Sequence, residues 1–394
     1  MNYREESLKK HAEWRGKIET LSRVTVGSKD ELAVAYTPGV AEPCMAIHND
    51  IEKSWELTRR WNTVPVITDG TAVLGLGDIG PEAGMPVMEG KSALFKTFGG
   101  VDAYPLCIRS KDTEEIIKTI KLYAGSWGGI NLEDISAPRC FEIETRLQAE
   151  LDIPVFHDDQ HGTAIVTAAA LLNALRLAKK DIDKIRVVIN GAGAAGIGIA
   201  KFLLAFGVKD ILVVSSKGII VEGDDRFNPT QQELAKITNR EKLAGDLSVA
   251  MRGADVLIGV SVGNCVTKDM VRSMADKPIL FVCANPIPEI APQDAIDAGA
   301  FIVGTGSSEY PNQINNALVF PGLFRGALDA RASKINVEMM MAASRGMASC
   351  VSDEELRPDY ILPYAWDQKA HDAVAKAIFD AAIELGVSKI YKKH

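Results

Sequence analysis

Hydrophobic and polar positions along this chain alternate between two textures. Short apolar runs occur at 101–108, 130–132, 153–156, 185–190, 211–214, 256–260, 279–283 and 301–303. Between them lie segments with helical composition and spacing, at 92–98, 112–124, 141–147, 162–180, 191–207, 323–345 and 369–386. Strand-like runs that alternate with helical segments predict an α/β chain with parallel sheets, doubly wound in its second half. Residues 64–78 read as two short strands joined by an Asp69-Gly70 turn. Residues 3–20, charged with apolar Tyr3, Leu8, Trp14 and Ile18, read as one or two amphipathic helices packing one face. No internal repeat, low-complexity segment or long linker interrupts the pattern.

Two of the apolar runs end in adjacent acids. The run at 153–156 stops at His157, Asp158 and Asp159, with Gly162 and Thr163 opening the next helical segment. Alone, this also reads as an Asp-rich turn. The run at 130–132 stops at Glu133 and Asp134, 25 residues before Asp159. In a strand–helix–strand unit that separation brings both acidic pairs to the carboxyl edge of neighbouring parallel strands, where open α/β sheets bind ligands. Adjacent carboxylates repel unless a cation offsets them, and hard cations such as Mg²⁺ or Mn²⁺ take oxygen ligands. Together the pairs predict a divalent metal site.

Other polar residues stand out by position. Lys91 precedes the helical run 92–98, where the helix dipole disfavours a cation. Tyr36 follows the apolar 32–35 and precedes the breakers Pro38, Gly39 and Pro43, at the lip of a loop, a position equally suited to a half-buried packing residue. Gly75, Gly77, Gly80 and Gly84 read as tight loop packing. Asn285, Asn315 and Asn316 lie in loops, where asparagine commonly forms turns.

Gly191, Gly193 and Gly196 form GxGxxG, with Ala194 and Ala195 between the last two, directly after a strand and opening a helix. That context makes the glycines a dinucleotide-binding turn, with the pyrophosphate on the helix amino end. The following strand ends in Ser215, Ser216 and Lys217 instead of the carboxylate that holds an NAD ribose, which tilts the cofactor toward NADP or dual use.

The 394 residues suggest two or three domains. A formal net charge of −8 without a basic tract argues against nonspecific nucleic-acid binding. Six scattered cysteines form no CxxC pair, the amino terminus lacks a signal-peptide core, and no apolar run suits a membrane span. A reducing cytoplasm fits these features.

The stretches AYTPGVAEPC, TDGTAVLGLGDIG, MPVMEGKSALFKTFGGVDA, NLEDISAP, VFHDDQHGTA, GAGAAG and YPNQINNALVFPG, in that order from about residue 20 to 330, closely resemble the malic enzymes in their short bacterial and archaeal form. The resemblance implies oxidative decarboxylation of (S)-malate to pyruvate and CO₂ with NAD or NADP and Mg²⁺ or Mn²⁺. It implies an N-terminal malic-type domain, 1–160, followed by a Rossmann dinucleotide domain with C-terminal helices, 161–394. It implies Glu133, Asp134 and Asp159 as metal ligands with Asp158 beside them, Lys91 as general base and Tyr36 as general acid. Asn285 and Asn316 would contact substrate, and the glycine loop, Ser215, Ser216, Lys217 and Asn285 would line the cofactor. Burial is expected to lower the Lys91 pKa.

Two departures concern charge: Thr71, Ala72 and Val73 stand where larger members carry an arginine for the substrate carboxylate, and GSSE precedes Tyr310 where an arginine is expected. A homodimer or dimer of dimers is expected, with 3–20 and the surroundings of Tyr36 as candidate interface. The competing readings are a metal-dependent oxaloacetate decarboxylase, a malolactic enzyme, and a nucleotide-sensing binding protein without turnover.

Overall fold

The computed structural model describes residues 3–391. Two sheets organise the chain. The first has four parallel strands in the order β2-β1-β3-β4, where β1 is Thr63–Thr68, β2 Asp102–Cys107, β3 Ile130–Leu132 and β4 Val155–His157. The second comprises β5 (Arg186–Asn190), β6 (Asp210–Ser215), β7 (Gly218–Ile219), β8 (Val256–Gly259), β9 (Ile279–Val282) and β10 (Ile302–Thr305). Their order is β10-β9-β8-β5-β6-β7, parallel except for β7, which folds back on β6. The inner strands β1, β3, β8 and β9 are buried throughout, as near-continuous aliphatic runs covered on both faces require, whereas the edge strand β2 is mostly half-buried.

The two sheets meet at one helix. Asp158–Ala178 starts directly from β4, and its middle turns, rich in Ala, Leu, Ile and Val, are apolar all round. Such a helix belongs inside a protein. It is long and apolar enough to cross a membrane by composition, but 72% of that stretch is buried within the protein. It packs against the helices Ala194–Phe206 and Val337–Ala348. Its crossing with the former is close because Gly198 has no side chain: a Cβ there would lie 2.7 Å from the Gln160 carbonyl oxygen. On the other side, Phe95, Phe156, Phe320 and Phe324 join the first sheet to the helix Phe320–Asp329, with ring centroids 4.6 Å apart for Phe95–Phe320 and 6.0 Å for Phe156–Phe324.

Several local expectations change. Residues 64–78 form no hairpin: β1 pairs in parallel with β2 and β3, and the second half is a loop with a single bridge between Val73 and Gly77. The reason lies in Asp69, which is buried and accepts from the Thr71 amide at 3.1 Å and from Arg139 at 2.8 Å, so the turn ties the loop to a neighbouring helix. The helix expected at 92–98 runs from Pro81 to Gly99, entered at Gly80 with φ +88° and Pro81 in the first turn. Lys91 is therefore mid-helix and buried, and the dipole argument does not apply to it. The segment 323–345 is two helices, Phe320–Asp329 and Val337–Ala348, interrupted at Arg331 (φ +48°) and restarted by the Asn336 cap. The N-terminal helix Tyr3–Trp14 buries none of its residues, and the apolar Tyr3, Leu8 and Trp14 expected to pack are exposed.

The Gly198 crossing predicts a specific cost. In Gly198→Ala, better helix propensity is outweighed by overpacking against Gln160, for a net loss of roughly 1–2 kcal/mol. The urea midpoint should fall with an unchanged slope, and a midpoint at or above that of the parent would show the two helices free to separate.

Candidate active site

The parallel pairing of β3 with β4 sets Leu132 beside His157, so the residues that follow each strand emerge side by side. The Asp134 amide donates to Asp159 Oδ2 at 2.8 Å, and ligand oxygens of Glu133, Asp134 and Asp159 lie within 4.8 Å of one another. Asp134 holds a left-handed backbone, φ +53°, which for a non-glycine residue is strained and commonly marks a functional turn. Glu133 accepts from Asn131 Nδ2 at 3.0 Å. Asp134 Oδ2 is buried without a partner.

Lys91 enters from its helix. Its ammonium lies 2.9 Å from Glu133 Oε1, pairs with Asp158 Oδ2, and sits 4.5 Å from the centre of the Phe320 ring. Four carboxylates thus face one ammonium. Burial raises the pKa of Glu133 to about 7 and of Asp134 to about 9, and mutual repulsion adds to it. Asp158 and Asp159 move upward for the same first reason. For Lys91, burial acts downward as expected, but Asp158, Glu133 and Asp159 outweigh it and the pKa is raised. The expected lowering is therefore reversed: in a pocket with this excess of carboxylate, the ammonium form is the stabilised one.

The donor set fits a hard divalent cation, because oxygen ligands are gathered, one lacks any partner, and all are held reluctantly ionised. Asp158 itself is kept in place by a missing side chain: a Cβ on Gly162 would lie 1.9 Å from Asp158 Oδ1 and 3.0 Å from Asn316 Cβ. Asn316 is thereby next to Asp158. Asn285 is exposed beyond β9, against the loop of the first sheet, where a Cβ on Gly75 would meet its carbonyl oxygen. Tyr36 is different. It ends the helix Lys29–Ala35, is 66% exposed, and no hydrogen bond or ring contact links it to this cluster.

Behind the acids is a second layer that the sequence reading missed. Glu144 is buried and accepts from the His157 amide at 2.9 Å, His161 Nε2 at 2.9 Å and Gln160 Nε2 at 3.2 Å. Burial would raise its pKa, but His161 and the other donors hold it low. Its signal was available: Cys140, Ile143, Glu144 and Leu147 share one buried face of Arg139–Glu150, an acid on an apolar stripe. Glu289, also missed, is buried and accepts from the Ser261 and Ala284 amides at 3.1 Å each, tying β8 to β9. Arg139, the arginine beside Thr71, is occupied by Asp69 and Thr71.

The glycine loop is shaped for a phosphate-bearing ligand. Gly191 has φ +128°, and a Cβ on Gly196 would lie 1.8 Å from the Gly191 carbonyl oxygen, so the turn is closed on itself. Gly193, at the amino end of Ala194–Phe206, has nothing within 4 Å of where its Cβ would be, which leaves its backbone approachable. Ser215, Ser216, Lys217 and Gly218 form the β6–β7 turn. Ser215 Oγ accepts from the Lys217 amide at 3.0 Å. The Lys217 ammonium donates to the Arg226 carbonyl, and Arg226 is braced by Asp224 at 2.6 Å. Arg226 is the second cation at this turn, and no sequence signal pointed to it.

Residues 15–148 match the family model for the malic enzyme N-terminal domain, and residues 160–383 match that for the malic enzyme NAD-binding domain. A bifunctional malic/malolactic enzyme of Bacillus subtilis is 55% identical over 99% of this chain and 95% of its own length. An NAD-dependent malic enzyme of Geobacillus stearothermophilus is 54% identical over 95% of this chain and 78% of its own length. The crystal structure of an NAD-dependent malic enzyme from Thermotoga maritima superposes with a TM-score of 0.91 at 49% identity, covering 95% of this chain and 98% of that one.

The raised carboxyl pKa values make a pH-dependent prediction. Each such group favours the folded chain most at low pH, and that contribution is lost as pH rises from about 4, where the unfolded carboxyl titrates, toward about 9 for Asp134. A cation competes with those protons, so its stabilisation grows over the same interval. In a chelator, Tm should fall from about pH 6 to about pH 9, and Mn²⁺ should raise Tm more at the upper end. An equal Mn²⁺ shift across that range, by differential scanning fluorimetry, would remove the cluster as the binding site.

Proposed function

The chain belongs to the malic enzyme family, and from that premise we propose that it converts (S)-malate and NAD(P)⁺ to pyruvate, CO₂ and NAD(P)H. The observation that carries the reading is Lys91, buried between Phe320 and the carboxylates Glu133 and Asp158 beside a three-carboxylate cluster. A structural ion pair needs one acid, not four. We assign Glu133, Asp134 and Asp159 to a Mg²⁺ or Mn²⁺ ion and the Gly191–Gly196 loop to the dinucleotide pyrophosphate. When bound, the cation supplies positive charge for the C2 oxygen and the dinucleotide supplies the hydride acceptor.

The chain's own residues manage protons and position. Lys91 takes the C2 hydroxyl proton, and Asp158 holds the resulting ammonium. Asn285 and Asn316 orient the substrate. After CO₂ leaves from C4, Tyr36 delivers a proton to C3. The proton lost from oxygen equals the one gained by carbon, so the pair returns to its starting state without net proton exchange. Lys91 must be neutral when malate binds, and positive charge at the neighbouring carboxylates works in that direction by offsetting the anions that stabilise its ammonium.

The reading extends to organisation. We take the division between a substrate and metal unit and a dinucleotide unit to fall near residue 160, in the first turn of the central helix. We take the assembly to be a homodimer or dimer of dimers, and the compartment to be a reducing cytoplasm, in which six free thiols persist. The Bacillus subtilis relative, a bifunctional malic/malolactic enzyme, supports a second reading, malolactic conversion, in which the cofactor is recycled and lactate is the product.

Malate with NAD or NADP and Mn²⁺ should yield one pyruvate per reduced cofactor. Lactate formed with catalytic cofactor would favour the malolactic reading. Asp159→Ala should abolish malate oxidation while reduced dinucleotide still binds, and Lys91→Ala should lower kcat by about 10²–10⁴-fold. Full activity of either variant after chelation and re-addition of metal would refute its role.

At the ribose turn, Ser215 offers no charge to repel a 2′-phosphate, and Lys217 and Arg226 lie beside it. NADP should be accepted at least comparably to NAD. Ser215→Asp should shift kcat/KM toward NAD by adding repulsion, and Lys217→Ala should weaken NADP more than NAD. A strong native NAD preference untouched by Lys217→Ala would overturn this part alone.

A further inference from the structure

One buried acid has no part in the chemistry above. Glu289 is fully enclosed, and among the described residues no cation pairs with it. One carboxylate oxygen accepts from the Ser261 amide and the other from the Ala284 amide, each at 3.1 Å. Burial pushes its pKa up, and those amides oppose the push. A buried carboxylate without a cation is costly. What it supplies in return is specific: a carboxylate accepts on two oxygens and offers no competing donor, which an amide or hydroxyl side chain does not.

The two amides belong to two different loops. Ser261 lies just beyond β8 and Ala284 just beyond β9, both at the carboxyl edge of the second sheet. The loops are pinned to each other as well: the Asn264 amide donates to the Pro288 carbonyl at 3.0 Å, and the Val266 amide to the Glu289 carbonyl at 2.9 Å. Asn190 ends β5 directly before the glycine turn, and its Nδ2 donates to Ser261 Oγ at 2.8 Å. Space for the carboxylate comes from a missing side chain, since a Cβ on Gly259 would lie 2.3 Å from Glu289 Cδ. The ends of β5, β8 and β9 thus converge on one side chain.

Sheet order gives that convergence a role. The glycine turn follows β5 and the ribose turn follows β6, so a dinucleotide that crosses from β6 over β5 lays its other half over β8 and β9. Val262 and Ile287, in these two loops, are apolar yet 66% and 49% exposed, which suits the face of a planar ring. Ala284 also precedes Asn285, whose carbonyl oxygen would lie 2.0 Å from a Cβ on Gly75 in the loop of the first sheet. The adjoining Leu74 amide donates to the Asp134 carboxylate. A line of contacts therefore leads from Glu289 to an acid of the cluster. We propose that Glu289 is a positioning residue for hydride transfer, holding the loops after β8 and β9 so that the nicotinamide half of the dinucleotide is set against the acidic cluster. This rests on the malic enzyme reading for the reaction, but not for the seating of the dinucleotide.

The test compares a whole dinucleotide with half of one. Glu289→Gln keeps the shape of the side chain but turns one acceptor oxygen into a donor, which then faces an amide N–H and releases one loop. In a chelator and without malate, the reduced dinucleotide should bind about tenfold more weakly, as loss of one hydrogen bond to a charged group implies. Nicotinamide fluorescence reads this. ADP carries the adenosine half and no nicotinamide, and by calorimetry it should bind as it does to the parent. A residue that only stabilises the fold would lower Tm and leave both affinities of the folded protein unchanged, which overturns the proposal. Equal weakening of both ligands would overturn it too, because the whole crevice would then have moved.

Turnover reads the hydride step. At saturating dinucleotide and malate, kcat per folded chain of Glu289→Gln should fall by up to about 10²-fold, the cost of reacting groups misplaced by an ångström. An unchanged kcat at saturation would overturn the assignment to hydride transfer. Gly259→Ala is the second variant, in case the first does not fold: it displaces the carboxylate without removing it and should move the same affinities in the same directions. A parent protein that makes no NAD(P)H from malate would instead fail the functional reading, while the comparison of reduced dinucleotide with ADP still decides the seating.

Discussion

Like charges do not share a dry pocket without compensation, and four carboxylates around one ammonium are what this fold accommodates. Glu133 and Asp134 follow β3, Asp158 and Asp159 follow β4, and parallel pairing of those strands forces the two pairs together. The surrounding features all act to hold that costly arrangement. Glu144 fixes the start of the central helix through an amide, a histidine and a glutamine. Gly162 leaves room for Asp158, and Asp134 accepts a left-handed backbone so that its amide reaches Asp159. The phenylalanine cluster shields Lys91 from water on the other side, which strengthens every charge interaction within.

The same helix couples the two halves of the chemistry. Asp158 and Asp159 occupy its first turn, and its next-door residue Gln160 is in backbone contact with Gly198 of the dinucleotide helix. The acidic cluster and the glycine loop are therefore registered to each other through one close helix crossing and not through a flexible linker. Interiors packed at this density transmit small displacements instead of absorbing them. Precision of about an ångström between donor and acceptor carbons is what hydride transfer demands, and a crossing that only glycine permits is a direct way to set it.

What could be read from the sequence follows from what is local. Strands such as 185–190 and 256–260 were legible because buried parallel strands are continuous aliphatic runs, and the glycine turn because its neighbours were a strand and a helix. The meeting of Asp134 with Asp159 was legible because a strand–helix–strand unit has a fixed reach. The hairpin at 64–78 was misread because Asp69 is paired with Arg139, a partner 70 residues away that no local pattern announces. Glu144 escaped notice for a related reason: its partners lie at the end of the next strand and just beyond it, although its place on an apolar helix face was a clue.

The lysine is where local reasoning fails in sign. Burial by itself lowers the pKa of an amine, and that is the usual route to a lysine base at neutral pH. Here burial also brings Asp158, Glu133 and Asp159 within reach, and in a low-dielectric pocket their attraction exceeds the desolvation cost. The basicity of Lys91 is thus a property of the whole cluster, not of its own depth. Groups that interact this strongly do not titrate independently, so the charge on Lys91 and the charges on the carboxylates around it set one another. Removing any one carboxylate therefore acts twice, on what the acids can hold and on whether the amine can accept a proton. Charge control at this site follows from the register of two short strands, which in turn follows from where the chain places its aliphatic runs.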